Sequence, residues 1–130
     1  MWLLDTNVCV ALINRSDEQA AARLLEHPPG SVRLCSVVKS ELHFGVQNSA
    51  RLAENLQRVE IFCRAFESLP FDDESARHYG IVRAQLRREG RPIGGNDLMI
   101  ASIAIANSHV LVTRNAREFS RVAGLEVERW

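Results

Sequence analysis

The chain has 130 residues, of which 46% are hydrophobic and 25% charged, and its 16 basic and 16 acidic side chains give a formal net charge of +0. This length suits one domain with a proper core, and the balanced charge excludes a global field that would draw the protein onto nucleic acid or an anionic membrane. The three cysteines form no C-x-x-C pair, which argues against a disulfide framework and a zinc site. The N-terminus lacks the pattern of a signal peptide, and the most apolar segment, 98–106, is far shorter than the ~20 residues of a membrane span. We therefore expect a protein of the cytoplasm.

Predicted strands and helices alternate along the sequence. Short apolar runs indicate strands, and apolar residues at helical spacing indicate helices. In chain order we predict a strand at 2–5, a helix from Val8 onwards, a strand at 31–36, helices at 37–46 and 49–66, an extended piece at 68–71, a helix over about 73–90, a helix at 97–108, and strands at 109–113 and 125–130.

Residues with strong capping preferences mark the ends of two helices. Asp72 or Asp73 can cap the helix that Gly90 ends, and Asn96 suits the N-cap of the next one. This next helix is apolar on nearly every face, so we expect it at the centre of the fold. The alternation of strands and helices predicts one α/β domain, residues 1–130, with a mainly parallel central sheet.

Four acidic residues follow predicted strands or begin a helix close to one. Asp5 ends the first strand, and Glu41 lies in the helix after the second. Asp97 occupies the first turn of the apolar helix, and Glu118 follows the strand at 109–113 by about one helical turn. Ligands of parallel α/β sheets bind beyond the carboxyl ends of the strands. We therefore expect these carboxylates to converge there.

Each of these acids also has an ordinary explanation when it is considered alone. Asp5 could cap a helix, and Glu41 could lie on a solvated helix face. Asp97 could complement a helix dipole, and Glu118 could pair with an arginine one turn away. The four positions together favour a shared role instead, with helix capping left to Thr6 or Asn7.

Converging carboxylates repel one another, and burial raises their pKa further. The arrangement becomes favourable when a divalent cation sits among them. Oxygen ligands alone suit Mg²⁺ or Mn²⁺ better than zinc. As a group, the acids therefore predict a metal site suited to phosphodiester hydrolysis.

Four segments occur in a familiar order: "LLDTNV", "SVVKSELHFGV", "IGGNDLMIASIA" and "VLVTRNAREF". They resemble the PIN-domain nucleases, and among these the VapC-type toxins of bacterial toxin–antitoxin pairs. The resemblance extends over essentially the whole chain. It implies a three-layer α/β/α PIN-like fold and a Mg²⁺- or Mn²⁺-dependent endoribonuclease.

The resemblance also implies roles for the four acids. Asp5, Glu41 and Asp97 match the three core acids of the family, with Asp5 and Asp97 as direct metal ligands. Glu118 stands where the family often has Asp. Some relatives carry a further acid near Asn115, which is neutral here. One metal, with another recruited by RNA, is therefore the model that we adopt.

Neighbouring polar side chains could support this site. Thr6, Ser36 and Thr113 are placed to hold carboxylates or water by hydrogen bonds, or to cap locally. Arg114 and Arg117 flank the fourth acid and are candidates for binding RNA phosphates. A second basic cluster could bind phosphates or form a solvated helix face: Arg77, Arg83, Arg87, Arg88 and Arg91.

By the same resemblance we expect a small cognate antitoxin, whose C-terminal segment covers a groove between the early helices and brings a cation near the acids. Apolar surface for it is offered by Val8, Val10, Leu12 and the pair at 24–25, unless these residues belong to the core. We also expect a homodimer that arrests translation by cleaving one RNA, with tRNA as the leading candidate.

Two alternatives to a toxin remain from the sequence. One is a related nuclease of RNA processing or DNA flaps, which a gene without an adjacent antitoxin frame would favour. The other is a catalytically silent PIN-like module that binds RNA or protein. The presence of all three core acids disfavours this second alternative.

Overall fold

Five strands form a wholly parallel sheet at the centre of the protein. The computed structural model describes residues 1–130. Its strand order is β3-β2-β1-β4-β5, which confirms the predicted α/β class. The strands are β1 (Trp2–Leu4), β2 (Val32–Cys35), β3 (Glu67–Leu69), β4 (Val110–Val112) and β5 (Val127–Glu128).

Seven helices connect and flank these strands. Right-handed crossovers place α1 to α4 on one face of the sheet and α5 to α7 on the other, which gives three layers. Helices α1 to α4 pack against one another, and α5 packs along α6. The helices are α1 (Thr6–Ile13), α2 (Glu18–Leu25), α3 (Ser36–Gln47), α4 (Leu52–Arg64), α5 (Asp73–Arg88), α6 (Gly95–Ala106) and α7 (Ala116–Phe119).

The apolar strands β1 and β4 at the centre of the sheet are buried on both faces, as parallel strands covered by helices must be. Leu3 and Leu4 of β1 are fully buried, and so are Leu111 and Val112 of β4. The chain builds the sheet outward from β1 to β3 and then crosses back to β4. The strand order therefore reverses between β1 and β4, and ligands of open α/β sheets bind at the carboxyl ends of such strands.

Helix α6 lies at the centre of the fold, as its apolar sequence predicts. Six of its residues are buried, including Ile100 and Ile103. The prediction of Asn96 as its N-cap is wrong, because the helix begins at Gly95 and Gly94 is the N-cap. Gly94 accepts the first helical hydrogen bond from the amide of Leu98, at 2.9 Å. Asn96 therefore lies within the first turn.

Two further helix ends can be compared with the sequence. The helix predicted from Val8 onwards is divided into α1 and α2, because the chain turns at Arg15, whose φ is 52°. Asp17 then caps α2 by accepting from the amide of Ala20 at 3.0 Å. The predicted cap of α5 is confirmed, since Asp72 is its N-cap.

None of the seven helices has the length and apolar character that crossing a membrane requires.

Candidate active site

Asp5 lies directly after β1 and is buried, with 6% of its surface exposed. One of its carboxylate oxygens accepts a hydrogen bond from the amide of Thr6 at 2.8 Å, and the other accepts one from the hydroxyl of Thr113 at 2.7 Å. Asp5 is therefore the N-cap of α1, and the assignment of this cap to Thr6 or Asn7 is wrong. With this extended backbone, whose ψ is 161°, one side chain both caps the helix and reaches Thr113, the residue after β4.

Glu41 projects from α3 and is half-buried. The hydroxyl of Thr6 donates to its Oε1 atom at 2.6 Å. Thr6 thus contacts two of the four acids, one through its amide and one through its hydroxyl. This pair of bonds ties the start of α1 to α3 beside the carboxyl end of β1.

Asp97 lies in the first turn of α6 and accepts no side-chain hydrogen bond from the rest of the protein. Its pKa is raised from 3.8 to about 6, first by burial and then by the charges of Asp5, Glu118 and Glu41. The three other acids therefore all lie close enough to repel the charge of Asp97. This carboxylate is partly buried, lies near like charges and has no hydrogen-bond donor. Its charged form is therefore unfavourable unless it binds a proton or a cation.

Glu118 lies in the four-residue helix α7. It accepts hydrogen bonds from the side-chain amide of Asn115 at 2.6 Å and from the backbone amide of Gly94 at 3.3 Å. It forms no ion pair with a neighbouring arginine, since Arg114 binds Asp17 instead. Glu118 thus joins α7 to the loop that precedes α6.

The sequence did not single out Asn115, Gly94 or Asp17 as contacts of the site. For Asn115 the only signal was its position at the start of a short helix, three residues before Glu118. Asp17 has the ordinary sequence pattern of a helix cap, and this pattern does not indicate its ion pair with Arg114. Of the three predicted supporting residues, Ser36 is exposed and makes no side-chain hydrogen bond with any of the acids.

The electrostatics of Asp5 show two opposing influences. Burial raises the pKa of its carboxyl group, as do the charges of Glu41 and Glu118, whereas the hydrogen bonds from Thr113 and Thr6 lower it. Burial is the largest of these effects, so the net direction is upward. The protein therefore holds this group in place while disfavouring its charge.

The four carboxylates come from four separate helices or strand ends, and no three of them close around a common point as a ready-made metal cage. Carboxylate oxygens without nitrogen or sulfur suit Mg²⁺ or Mn²⁺. Mg²⁺ commonly keeps several waters and takes only one or two carboxylates directly. The donor set is therefore compatible with such an ion.

We expect the metal-free protein to gain stability as the pH falls from neutral to about 5. Because folding raises the pKa of Asp97 from 3.8 to about 6, the folded state binds a proton more tightly than the unfolded chain between these values. The free energy of unfolding should therefore decrease as the pH rises through this window. Thermal unfolding in EDTA should show this dependence weakened in Asp97→Asn, and an identical dependence in both proteins would contradict the shift.

Comparison with known proteins identifies the family of this chain. The PIN domain model matches residues 2–125. Ribonuclease VapC2 of Rickettsia felis is 37% identical over 131 residues, covering 100% of this chain and 98% of that protein. The tRNA(fMet)-specific endonuclease VapC of Shigella flexneri is 37% identical over 129 residues, with 99% and 97% covered.

A solved structure agrees with these relatives. VapBC2 from Rickettsia felis bound to a DNA fragment from its promoter superposes with a TM-score of 0.93 at 36% identity, covering 99% of this chain and 98% of that one. The chain therefore belongs to the VapC-type ribonuclease toxins of the PIN-domain family.

Proposed function

We propose that this protein is a Mg²⁺- or Mn²⁺-dependent endoribonuclease whose residues 1–130 act as one nuclease domain. The observation that carries the proposal is the carboxylate of Asp97, which is half-buried beside three other acids and has no hydrogen-bond donor. A divalent cation relieves this repulsion and leaves the fold intact. It also gives an acidic site a way to accept an anionic substrate.

Asp5 and Asp97 are the proposed metal ligands, and Glu41 and Glu118 are proposed to hold water. When bound, the metal supplies Lewis acidity that polarises the phosphoryl oxygen, activates a water and stabilises the leaving oxygen. Thr113 fixes one oxygen of Asp5. The hydroxyl of Thr6 fixes Glu41 in the same way. These hydrogen bonds orient the carboxylates before the substrate arrives, so little reorganisation is needed during the reaction.

We propose tRNA as the substrate class, because the relative from Shigella flexneri is described as specific for tRNA(fMet). Arg117 is exposed and forms no ion pair, so it is free to bind a phosphate. Arg114 is half-buried against Asp17, and a phosphate would have to compete with this partner. We therefore expect Arg117 to contribute more to substrate binding.

A groove between α1, α3 and α4 supports the proposal of an antitoxin partner. It has a volume of 230 Å³, and its apolar lining includes Val10, Leu42 and Val59. Glu41 also lines it, so a segment lying in the groove with apolar side chains and one cation would bring that cation to the acids. The Rickettsia felis structure, which is described as VapBC2, supports such a partner.

The surface predicted for the antitoxin is only partly available. Val8 is buried in the core, with 1% of its surface exposed, whereas Val10 is 40% exposed and lines the groove. Leu12 and Leu24 are half-buried against the core, and Leu25 is exposed away from the groove.

We further propose that the toxin is a homodimer. Its three free cysteines suit the reducing cytoplasm, where we place it.

The proposal is tested with protein purified without antitoxin and incubated with total RNA and purified tRNA. We expect cleavage with Mg²⁺ or Mn²⁺ and none in EDTA. Mg²⁺ should also raise the melting temperature of the native protein and barely change that of Asp5→Asn, because a ligand that binds only the folded state stabilises it. Cleavage that survives EDTA, or an equal metal response in both proteins, would refute the proposed site.

A further inference from the structure

A cleft of 480 Å³ lies between α5 and the start of α6. Its apolar lining includes Leu86, Ile93 and Leu98. The ring of Tyr79 and two exposed arginines of α5 also line it. An apolar floor beside an aromatic ring and cations fits a planar, anionic ligand better than a peptide or a lipid chain.

The two arginines, Arg83 and Arg87, are the only charged residues that line the cleft. Both are exposed, and neither forms an ion pair with a carboxylate of the protein. The guanidinium of Arg83 lies 5.9 Å from the ring centroid of Tyr79 and donates to its hydroxyl at 3.3 Å. The cleft thus offers one cation placed against an aromatic ring and a second with no partner of its own.

The cleft adjoins the acidic site through the beginning of α6. Gly95 lines the cleft, and the amide of the preceding Gly94 donates to Glu118. Leu98 lines the cleft as well, and the residue before it is Asp97. The first turn of α6 therefore contributes residues to both the cleft and the acidic site, so the two can receive neighbouring nucleotides of one RNA strand.

We propose that this cleft binds one unpaired nucleotide of the RNA, next to the bond that is cleaved. The base stacks on Tyr79 and the apolar floor, and Arg87 binds its phosphate. Sequence-specific RNA recognition uses unpaired bases stacked on aromatic rings and guanidinium groups, and such stacking tolerates any base. This inference rests on the proposed ribonuclease function, and it adds a binding site that selects unpaired RNA.

The experiment measures steady-state cleavage of a tRNA and of a single-stranded oligoribonucleotide with Mg²⁺. We expect Tyr79→Ala and Arg87→Gln each to raise KM about tenfold. We expect kcat to change little, because these residues do not touch the reacting bond. Tyr79→Phe keeps the ring and should retain a KM close to that of the native protein. Arg64→Gln is the matched control, since it removes the same charge from an exposed helix position outside the cleft, on α4.

A direct readout of stacking uses oligoribonucleotides with 2-aminopurine at successive positions, bound to the uncleaving Asp97→Asn protein. One position should lose fluorescence on binding, and Tyr79→Ala in this background should restore it. If Tyr79→Ala fails to fold, Arg87→Gln carries the test, since its side chain is exposed.

Two outcomes would overturn the inference while leaving the ribonuclease function intact. One is normal Mg²⁺-dependent cleavage by Tyr79→Ala and Arg87→Gln with unchanged KM. The other is a change of their sedimentation from dimer to monomer with unchanged KM, which would make the cleft a contact between two copies of the chain. If the native protein does not cleave RNA with Mg²⁺, the proposed function itself fails.

Discussion

Asp97→Asn should reduce RNA cleavage by on the order of 10³-fold while the protein stays folded. The substitution keeps the shape of the side chain and removes the charge that is proposed to hold a divalent cation. A metal contributes several kcal/mol of transition-state stabilisation, and each 1.36 kcal/mol corresponds to a factor of ten in rate. Single-turnover cleavage of a tRNA with saturating Mg²⁺ measures this loss without interference from product release.

The stability of the same variant distinguishes an active-site carboxylate from a structural one. Because Asp97 accepts no hydrogen bond and is repelled by three neighbouring acids, Asp97→Asn should melt at the native temperature or higher in EDTA at neutral pH. Asp73→Asn, an exposed change in the first turn of α5, is the control and should cleave normally. An Asp97→Asn protein that cleaves like the native one would remove Asp97 from the mechanism.

The convergence of the acids could be predicted because it follows from topology. A short apolar run such as Trp2–Leu4 is typical of a buried strand, and parallel strands end at one edge of the sheet. Asp5 directly follows such a strand. Asp97 required one further step, since it belongs to a helix whose first turn reaches the same edge. These placements need only the order of elements and no knowledge of side-chain packing.

Hydrogen-bond partners were less predictable, because they depend on side-chain direction. Thr6 and Thr113 contact the acids, whereas Ser36, an equally plausible residue by sequence, is exposed. Ser36 begins α3 and makes no hydrogen bond with the acids, while Glu41 in the second turn of the same helix accepts one from Thr6. Successive residues of a helix point about 100° apart, so an error of one residue in position changes which side chains face the site. The sequence alone does not determine the start of a helix to that accuracy.

The two wrong predictions of helix boundaries have the same physical cause. The cap of α6 is Gly94, which has no side chain to signal a cap, while Asn96 two residues later has a strong capping preference. The turn between α1 and α2 depends on Arg15 in a left-handed conformation, which arginine seldom adopts. In both places the packed fold overrides the local preference of the residue.

Phe119→Ala should lower the free energy of unfolding by about 3–5 kcal/mol. Phe119 is fully buried, and its ring is the anchor of α7. A four-residue helix has no stability of its own, since its first turn costs more conformational entropy than its hydrogen bonds return. For a domain of this size the melting temperature should fall by about 10 °C or more, as measured by circular dichroism.

The same substitution should reduce cleavage at temperatures where the variant is still folded, because Glu118 precedes Phe119 and depends on it for its position. Trp130→Ala is the matched control. Trp130 is also buried and stacks on His27, with ring centroids 4.8 Å apart, so its loss should cost a similar free energy. Its indole bonds to Glu128 and to none of the four acids. The quantity to compare is the cleavage rate per folded molecule. If Trp130→Ala lowers this rate as much as Phe119→Ala does, the side chain of Phe119 has no separate role in the site. A loss specific to Phe119→Ala would mean that one core side chain positions the fourth acid.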